Sequence, residues 1–479
     1  MKRQSVVLED ETWTLAVRGA AWMSSLTFDS VPVDVIESTK LRVLDVIGNT
    51  IAASRSPFGA TMRRAAKALS GNGPSRILGF GDCVGSAIAA LANGSMGTAL
   101  DFDDTHTATI LHFSTPTVVT ALASPSTVHG RDVLTAVAGG SELMCRIGMS
   151  APGEFHRRGY HATGILGAVG AAYTASYLLR LPQEATANAV AIAAAHTAGL
   201  TQAIAEGKNS RHLCAGWAAQ LGVAAATMAQ AGLAGPEAIF EGERGLLLTH
   251  VGSDAVQAAR GVLDGLGSEW ETRRSSFKGF PCGHVIHPFI QAALALRGAY
   301  AIDPGNIEKV ICRVPPYAVP MVCEPAVRKK SPCDDNEARI SLQYTVAETL
   351  SLGRLDGNSY QSSSLRNSSI LALASRVDCI ADPAFASRER YGGKMTITMK
   401  DGSERTRTEL CHWGSPELPI ASDDVRKKFL SNVTESLSDS TASSIIETTA
   451  ALERQERIGD LVDLCCARPA GAKNSDPPN

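Results

Sequence analysis

The sequence predicts a mainly α-helical protein in which a smaller α+β unit is inserted between two helical segments. Two observations carry this prediction. Apolar residues recur at helical spacing from residue 11 to about residue 265, and the pattern returns after residue 421. Strand-like alternation is clearest in the middle of the chain, as in Ile307–Val314. The simplest topology therefore has the last helices rejoining the first helical body.

The first part of the chain is predicted to be helical almost throughout. Its later helices are rich in Ala and Gly, and small side chains let helices approach each other closely. The predicted helices include 11–24, 31–54, 62–68, 86–100, 133–150, 163–179, 183–198 and 213–231. With the C-terminal helical pattern, they predict one helical domain made of residues 10–268 and 420–462.

The middle of the chain is predicted to form a separate α+β unit, residues 270–412. Besides the strand at 307–314, residues 394–400 alternate, and Asp401-Gly402 is a hairpin signal before a return strand at 404–409. Residues 340–350 have a helical pattern. Beyond the last helices, the segment 468–479 is rich in Pro, Asn, Ala and Gly and is predicted to be a disordered tail.

Composition excludes several classes of protein. The 479 residues are 44% hydrophobic and 19% charged, which is typical of globular domains, and the net charge of −3 argues against nucleic-acid or acidic-membrane partners. Eleven cysteines without Cys-x-x-Cys spacing predict reduced thiols in an intracellular, cytoplasmic protein. The charged N-terminus does not resemble a secretory signal. The sequence has no uninterrupted apolar stretch of about 18 residues, so no membrane span is predicted.

The stretch 97–120 is the strongest candidate for a functional site. Asp101, Asp103 and Asp104 lie within four positions, and His106 and His112 follow between segments that look buried. Polar groups in an apolar frame are costly unless they are paired, so such clusters tend to be sites. The alternative is that this stretch is only the end of a helix. The aspartates would then cap the helix, and the histidine would form hydrogen bonds that serve structure alone.

Further polar segments interrupt the apolar pattern. Three of them contain histidines between helical stretches, at 158–161, 206–212 and 280–288, and the first two also contain Arg or Lys. The segment 334–341 is interpreted as the solvated start of a helix.

Cofactor and nucleophile motifs are missing. His284 and His287 are three positions apart but lie on a Gly/Pro turn, and no zinc or iron spacing is present, so the prediction is no metal and no cofactor. Neither a Gly-x-Ser-x-Gly elbow, a P-loop nor a Rossmann fingerprint occurs. Cys282 is interpreted as a buried, inert thiol. The remaining His, Lys, Arg and Asp residues suit acid–base chemistry on a polycarboxylate.

At these segments the sequence resembles the MmgE/PrpD family, which includes 2-methylcitrate dehydratases, cis-aconitate decarboxylases and an iminodisuccinate epimerase. The resemblance covers about residues 10–460. Its marks are Ala-Leu-Asp-Phe-Asp-Asp-Thr at 99–105, His112 with Pro116, Gly-Tyr-His-Ala-Thr-Gly at 159–164, Gly-Lys at 207–208, and Lys-Gly-Phe-Pro-Cys-Gly-His-Val-Ile-His at 278–287.

The resemblance implies a fold and a set of site residues. The α+β unit would be a lid on the helical domain, and the protein would be a homodimer. Lys208 would clamp a substrate carboxylate, and His112 and His161 would transfer protons. Asp101 and Thr105 would orient the histidines or bind substrate, and His287 would complete the pocket from the lid. His106, His212 and His284 are less specific matches, whereas His129, His156, His196, His250 and His412 are interpreted as structural or surface residues.

The resemblance leaves the reaction open. The leading hypothesis is dehydration of a citrate-like or alkylcitrate-like tricarboxylate without a cofactor. The alternatives are decarboxylation of a cis-aconitate-type substrate to an itaconate-like product, and epimerisation of a related dicarboxylate. The Asp-Asp-Thr-His stretch at 103–106 departs from the Asp-Phe-Asn-Asp-Thr form of the 2-methylcitrate dehydratase branch, which weakens assignment to methylcitrate itself. A non-catalytic helical scaffold is disfavoured because the family's polar segments are retained.

Overall fold

Helices dominate the fold, which we describe from a computed structural model of residues 14–466. The predicted tail at 468–479 and the start of the predicted N-terminal helix lie outside the described residues. The α-helices before residue 270 are α1 (Leu15–Ser25), α2 (Val33–Ser54), α3 (Pro57–Leu69), α4 (Ser86–Gly97), α5 (Ser114–Leu122), α6 (Gly130–Gly148), α7 (Glu154–Arg157), α8 (Ala162–Leu178), α9 (Gln183–His196), α10 (Gln202–Ala205), α11 (Leu213–Gln230), α12 (Leu246–His250) and α13 (Ser253–Ala259).

Small residues pack the centre of this helical part, as the composition predicts. Helix α11 contacts α4, α8 and α9. Where α11 crosses α4, a Cβ added to Gly94 would lie 2.7 Å from the Cα of Gly216, so the two backbones meet at glycine. A Cβ at Gly222 would lie 2.4 Å from the Cβ of Ala171 on α8. Larger residues at these positions would force the helices apart.

The C-terminal helices return to the first helical part. They are α21 (Ser422–Val433), α22 (Asp439–Ala450) and α23 (Ile458–Leu464). Helix α21 packs on α2, where the buried Lys428 Nζ lies 2.7 Å from Asp45 Oδ1. Beside this ion pair, Phe429 contacts the helix at Gly48. Helices from the two ends of the chain are therefore in contact, and their union in one helical domain stays a prediction.

The middle of the chain combines helices with a four-stranded sheet of order β6-β5-β7-β8. Strand β5 is parallel to β6 and antiparallel to β7, which is antiparallel to β8. The predicted strands and the Asp401-Gly402 hairpin are confirmed, and Gly402 takes a positive φ of 83°. The strands of the chain are β1 (Ser75–Arg76), β2 (Cys83–Val84), β3 (Thr105–His106), β4 (Ser275–Ser276), β5 (Ile307–Val314), β6 (Val377–Ala381), β7 (Gly393–Met399) and β8 (Glu404–Glu409).

The helices of this middle part cover the sheet. The predicted helix at 340–350 is confirmed as α18 with a shift of two residues. The helices are α14 (His287–Tyr300), α15 (Val319–Val322), α16 (Ala326–Lys330), α17 (Asp335–Ala338), α18 (Leu342–Leu352), α19 (Ser362–Leu365) and α20 (Ser368–Ala374).

Buried apolar residues form two hydrophobic clusters. The first runs from Leu15 to Trp270 and resumes from Phe429 to Cys465, and the second runs from Phe280 to Ile397. The mainly α character of the chain is thus confirmed. The bounds 10–268, 270–412 and 420–462, and the role of the middle part as a lid, stay predictions.

The two parts meet at the segment 334–341, whose interpretation as a solvated helix start is wrong. Asp334 does cap α17, accepting a 2.8 Å hydrogen bond from the backbone N–H of Glu337. However, Asn336 and Arg339 are buried. Arg339 Nη1 donates to the carbonyl of Leu100 at 3.0 Å, so this segment joins the α+β part to the helical part.

Candidate active site

The acidic loop before α5 is held by buried ion pairs. Asp101, at a positive φ of 51°, accepts two hydrogen bonds from the guanidinium of Arg211. Burial alone would raise the pKa of Asp101, but Arg211 outweighs it and holds that pKa well below the usual value. Arg211 in turn donates from Nε to Asn336 Oδ1 at 2.5 Å. The α+β part therefore helps to fix the carboxylate of Asp101.

Asp104 anchors the same loop from the other side. Its carboxylate pairs with buried Arg42 and accepts hydrogen bonds from the backbone and hydroxyl of Ser114. The Arg42 guanidinium lies between two aromatic rings, 4.7 Å from the centroid of Phe113 and 4.4 Å from that of Phe277. A buried charge pair with this many partners is well satisfied, which makes the loop rigid.

This rigid loop fixes the tautomer of His112. His112 Nδ1 lies 2.8 Å from the backbone carbonyl of Asp104. A carbonyl only accepts, so Nδ1 carries the proton and Nε2 keeps a free lone pair when the ring is neutral. Burial, with a smaller contribution from Lys278, lowers the pKa of His112 to about 4. His112 is therefore a neutral base at neutral pH.

His112 belongs to a group of three imidazoles, His112, His156 and His161, which we call the first histidine cluster. The centroid of the His161 ring lies 5.9 Å from that of His112 and 5.3 Å from that of His156. Burial, followed by the neighbouring His112, lowers the pKa of His161 to about 3. Only Nδ1 of His161 is buried without a partner, so its Nε2 stays accessible. The cluster can exchange protons with a bound molecule.

A buried carboxylate and a buried lysine lie behind the first histidine cluster. Asp103 Oδ2 is 3.5 Å from His112 Nδ1, and Asp103 Oδ1 is 3.7 Å from Lys278 Nζ. Asp103 and Lys278 are each 1% exposed, yet these contacts are long. Burial raises the pKa of Asp103 to about 6, although Lys278 opposes the change. The sequence analysis noted both residues within motifs but assigned neither to the site.

A second histidine cluster, His284, His287 and His412, lies in the α+β part. The ring of His284 is 4.6 Å from that of His287 and 4.3 Å from that of His412, by centroid distance. All three side chains are buried, and within residues 14–466 neither nitrogen of His284 has a hydrogen-bond partner, whereas His287 and His412 interact with the backbone of Cys282 and Tyr391. Burial lowers the pKa of His412 to about 4 and that of the other two well below the ordinary value.

A cavity of about 920 Å³ opens between the helical and α+β parts. His156 of the first histidine cluster lines it, and so does Tyr391, whose ring lies 5.3 Å from that of His284. The cavity therefore borders the first cluster directly and is separated from the second by Tyr391. Its volume lies in the range of small-molecule sites. Cations from both parts contribute to its wall, among them Arg157 and Arg388.

The structure brings together some of the predicted site residues. Thr105 Oγ1 lies 3.4 Å from His112 Nδ1, and Asp101, His112 and His161 influence one another electrostatically. His287 instead belongs to the second cluster. Lys208 is exposed, and its ammonium has no partner in the described part of the chain, although the adjacent Gly207 lines the cavity. The catalytic and binding roles of all these residues stay predictions.

Sequence reasoning missed several residues that the structure places at this site. Arg211 stands in a polar segment that was noted, but its pairing with Asp101 depends on tertiary structure. His156 and His412 were interpreted as structural or surface residues, yet they lie within the two clusters. Only the proximity of His156 to His161 in the sequence was a usable signal. The sequence around Tyr391 contained no signal that would have assigned this residue to the site.

Other sequence predictions concern nucleophiles, metals and membranes. Burial raises the pKa of the Cys282 thiol, as expected of an inert cysteine. Within the described residues, no group of three His, Cys, Asp or Glu side chains is arranged to hold a metal ion. Among those same residues, every helix is too short or too polar to cross a membrane.

Comparison with known proteins relates nearly the whole chain to one family. A model described as the MmgE/PrpD N-terminal domain matches residues 18–259, and one described as the MmgE/PrpD C-terminal domain matches residues 280–454. The cis-aconitate decarboxylase-like protein oryM of Aspergillus oryzae is 25% identical, over 92% of this chain and 95% of that protein. Cis-aconitate decarboxylase of Homo sapiens is 28% identical over 90% of each chain. The Mus musculus enzyme of the same name is 26% identical, over 93% of this chain and 92% of that protein.

Proposed function

The chain belongs to the MmgE/PrpD family, and we propose that it is a lyase that decarboxylates a cis-aconitate-like tricarboxylate to an itaconate-like product. The names of the relatives favour this alternative over dehydration, which was the leading hypothesis from sequence. The observation that carries the proposal is the first histidine cluster, with a fixed tautomer at His112, beside a cavity with cationic walls.

Recognition of the substrate rests on cations around the cavity. Arg388 lies over the ring of Tyr317 at 4.8 Å, and Arg157 lines the same space. Lys208, exposed beside the cavity-lining Gly207, is the proposed carboxylate clamp. Guanidinium and ammonium groups bind carboxylates through charge-assisted hydrogen bonds. A tricarboxylate with three negative charges matches this surface.

The chemical step needs a proton donor. One C–C bond to a carboxylate breaks, carbon dioxide leaves, and the electron pair stays on the substrate as an allylic carbanion that is then protonated. The substrate is a trianion and takes up one proton, so the products are carbon dioxide and a dianion, and the charges balance. Burial lowers the pKa of His112 to about 4, but bound carboxylates raise the pKa of nearby imidazoles. His112 or His161 can then carry the proton to the carbanion.

The α+β part is proposed to act as a lid, residues 270–412, on a helical domain of residues 10–268 and 420–462. The two hydrophobic clusters and a cavity lined from both parts support this division. Closure would exclude water and strengthen the contacts between cations and carboxylates. A homodimer and independence from any metal or cofactor are further parts of the proposal. Light scattering tests the first, and full activity after exhaustive chelation and dialysis tests the second.

A single assay separates the candidate reactions. The purified protein is incubated with cis-aconitate, citrate and 2-methylcitrate, while carbon dioxide and the absorbance of a new double bond are followed. We expect carbon dioxide from cis-aconitate and no new double bond from the two hydroxy acids. A new double bond from either hydroxy acid without carbon dioxide would instead establish the dehydratase. If none of the three is consumed, the proposed reaction is wrong for these substrates.

A further inference from the structure

A lysine of the C-terminal helix α21 contacts two segments of the candidate site at once. Lys428 Nζ donates to the backbone carbonyl of Phe102 at 2.6 Å and to that of Lys278 at 3.1 Å. Its third partner is the carboxylate of Asp45 on α2, at 2.7 Å. An ammonium group has three N–H donors and no acceptor. The donors of Lys428 are therefore all used within the protein, and none is left to bind a substrate.

The two carbonyls lie in the main chain next to Asp103 and Lys278. The carbonyl of Phe102 belongs to the peptide group that leads into Asp103. Asp103 Oδ1 is 3.7 Å from Lys278 Nζ, and Asp103 Oδ2 is 3.5 Å from His112 Nδ1. Both distances are longer than a good hydrogen bond, so these side chains do not fix their own spacing. Their positions relative to His112 depend on where the main chain holds them.

The same two segments are joined at a second place. Strands β3 and β4 pair with each other, which ties residues 105–106 to residues 275–276. Arg42 pairs with Asp104 and also donates from Nη2 to Ser275 Oγ at 2.6 Å. These contacts hold one end of the joined segments, and the ammonium group from α21 holds the other end.

We propose that Lys428 is a positioning residue, which holds the acidic loop, residues 101–105, and the segment with Lys278 at the spacing that proton transfer by His112 requires. The inference rests on the proposed function for its chemistry. The Asp45 carboxylate balances the buried ammonium, and the ring of Phe102 covers it, with the centroid 3.7 Å from Nζ. A helix from the end of the chain thus shapes a site whose other residues come from its first two thirds.

Lys428→Met tests this role, because methionine keeps a flexible apolar stem and donates no hydrogen bond. A misplacement of about 1 Å can cost about 10² in rate, so we expect kcat to fall about 10- to 100-fold. KM, and the Kd of the saturated tricarboxylate tricarballylate by calorimetry, should change by less than about threefold, since the cations of the cavity wall are untouched.

Substitutions at Asp45 separate the lost hydrogen bonds from the lost charge. Asp45→Asn leaves the donors of Lys428 on both carbonyls and should keep kcat within about threefold. Asp45→Asn/Lys428→Met removes the ion pair without leaving a buried charge unpaired. It should show the same fall in kcat as Lys428→Met, and it replaces that variant if Lys428→Met does not fold. Parental kcat in the double variant would overturn the inference.

Lys40→Met is the matched control for stability. Lys40 is also a buried lysine, and its Nζ lies 2.8 Å from both Glu37 and Glu453, neither of which belongs to the acidic loop or to residues 275–278. Lys40→Met should lower Tm, as Lys428→Met does, and keep kcat within about threefold. An equal loss of kcat in the two variants would show an effect of stability alone and would overturn the inference.

Amide hydrogen exchange separates this inference from the proposed reaction, because it needs no substrate. Lys428→Met should speed exchange about tenfold in peptides covering residues 101–106 and 275–280, the effect of losing one hydrogen bond to a charged group. Lys40→Met should leave both segments at the parental rates. Faster exchange in both segments without turnover of any tested substrate would support the clamp by Lys428 and count against the proposed reaction alone. Unchanged exchange in either segment would overturn the inference whatever the reaction is.

Discussion

The two histidine clusters contain the same side chain in three copies, yet their surroundings differ. In the first, His112 is fixed by a backbone carbonyl, and His156 brings the cluster to the wall of the cavity. In the second, His284, His287 and His412 are all buried, and neither nitrogen of His284 has a partner among the described residues. Burial lowers the pKa in both clusters. A lowered pKa therefore does not by itself distinguish a proton-transfer residue from a buried one, and the hydrogen-bond partner is the better guide.

The strongest test of this difference is removal of an imidazole from the first cluster. We expect His161→Ala to lower kcat by about 10² to 10⁴ with a smaller change in KM, because a general acid acts in the transition state. His112→Asn should have an effect of the same size. Steady-state kinetics with the substrate identified by the assay above provide the measurement. The matched control is His196→Ala, an exposed histidine at the end of α9, which should be neutral.

Lys208 tests whether the proposed clamp extends to an exposed residue. It stands at the start of a short 3₁₀ helix that leads into α11, where a positive charge opposes the helix dipole and an anion is favoured. Lys208→Ala should melt like the parent and lower kcat/KM by roughly 10², the loss of one charge-assisted contact. Lys400→Ala, another exposed lysine, is the control. Parental kcat/KM in Lys208→Ala would remove this residue from the site.

The second cluster is tested by a pair of matched substitutions. His287 is a predicted site residue, whereas His412 is not, although both rings are buried and lie 5.7 Å apart. His287→Phe should lower kcat/KM by about tenfold or more if this ring contacts substrate. His412→Phe should keep activity within about threefold and leave Tm unchanged or higher, because a polar ring that is costly to bury is replaced by an apolar ring of similar shape. Equal effects of the two substitutions on kcat/KM would contradict the predicted role of His287.

The pH dependence of stability is the smallest expected effect. The folded pKa of His112 is about 4, below the ordinary histidine value of 6.5, so the unfolded chain binds this proton first as the pH falls. The contribution of neutral His112 to the free energy of unfolding is complete above pH 6.5 and is lost as the pH falls from 6.5 to about 4. The other histidines of both clusters also reduce stability as the pH falls. Asp103, whose pKa is raised to about 6, has the opposite effect on stability. We expect a net fall in the free energy of unfolding across this window.

Chemical denaturation at a series of pH values measures this fall. The slope should be shallower in His112→Asn, because one of the contributing groups is removed. The slope of the control His196→Ala should match that of the parent. A free energy of unfolding that rises as the pH drops from 6.5 to 4 would show that the buried carboxyls dominate instead.

Local patterns were sufficient to predict much of the fold. The strands Ile307–Val314 and Glu404–Glu409 have the predicted bounds, since alternation and a hairpin signal are local properties. Strand β6 was missed because its burial depends on pairing with β5, which is distant in sequence. The segment 334–341 was misjudged for a similar reason, since buried Arg339 and Asn336 find partners on Leu100 and Arg211, which are distant in sequence.

The candidate site was predictable to a lesser extent. His112 and His161 were found through family motifs, and the structure places their rings side by side. The partner of Asp101 and the membership of His412 in a cluster were not predictable, because each depends on residues more than a hundred positions away. The cavity between the two parts has no sequence signature of its own.

The hydrogen bond between His112 and the carbonyl of Asp104 has a genetic consequence. The acceptor that sets the tautomer is a main-chain atom, and every codon at position 104 supplies the same atom. No missense change at position 104 can delete this carbonyl acceptor. Such a change can only displace the loop, because it removes the carboxylate that Arg42 and Ser114 hold. Random mutagenesis should therefore find sensitivity spread over positions 42, 104 and 114 rather than confined to one. Losses at these positions should be recoverable by second-site changes that restore the shape of the loop.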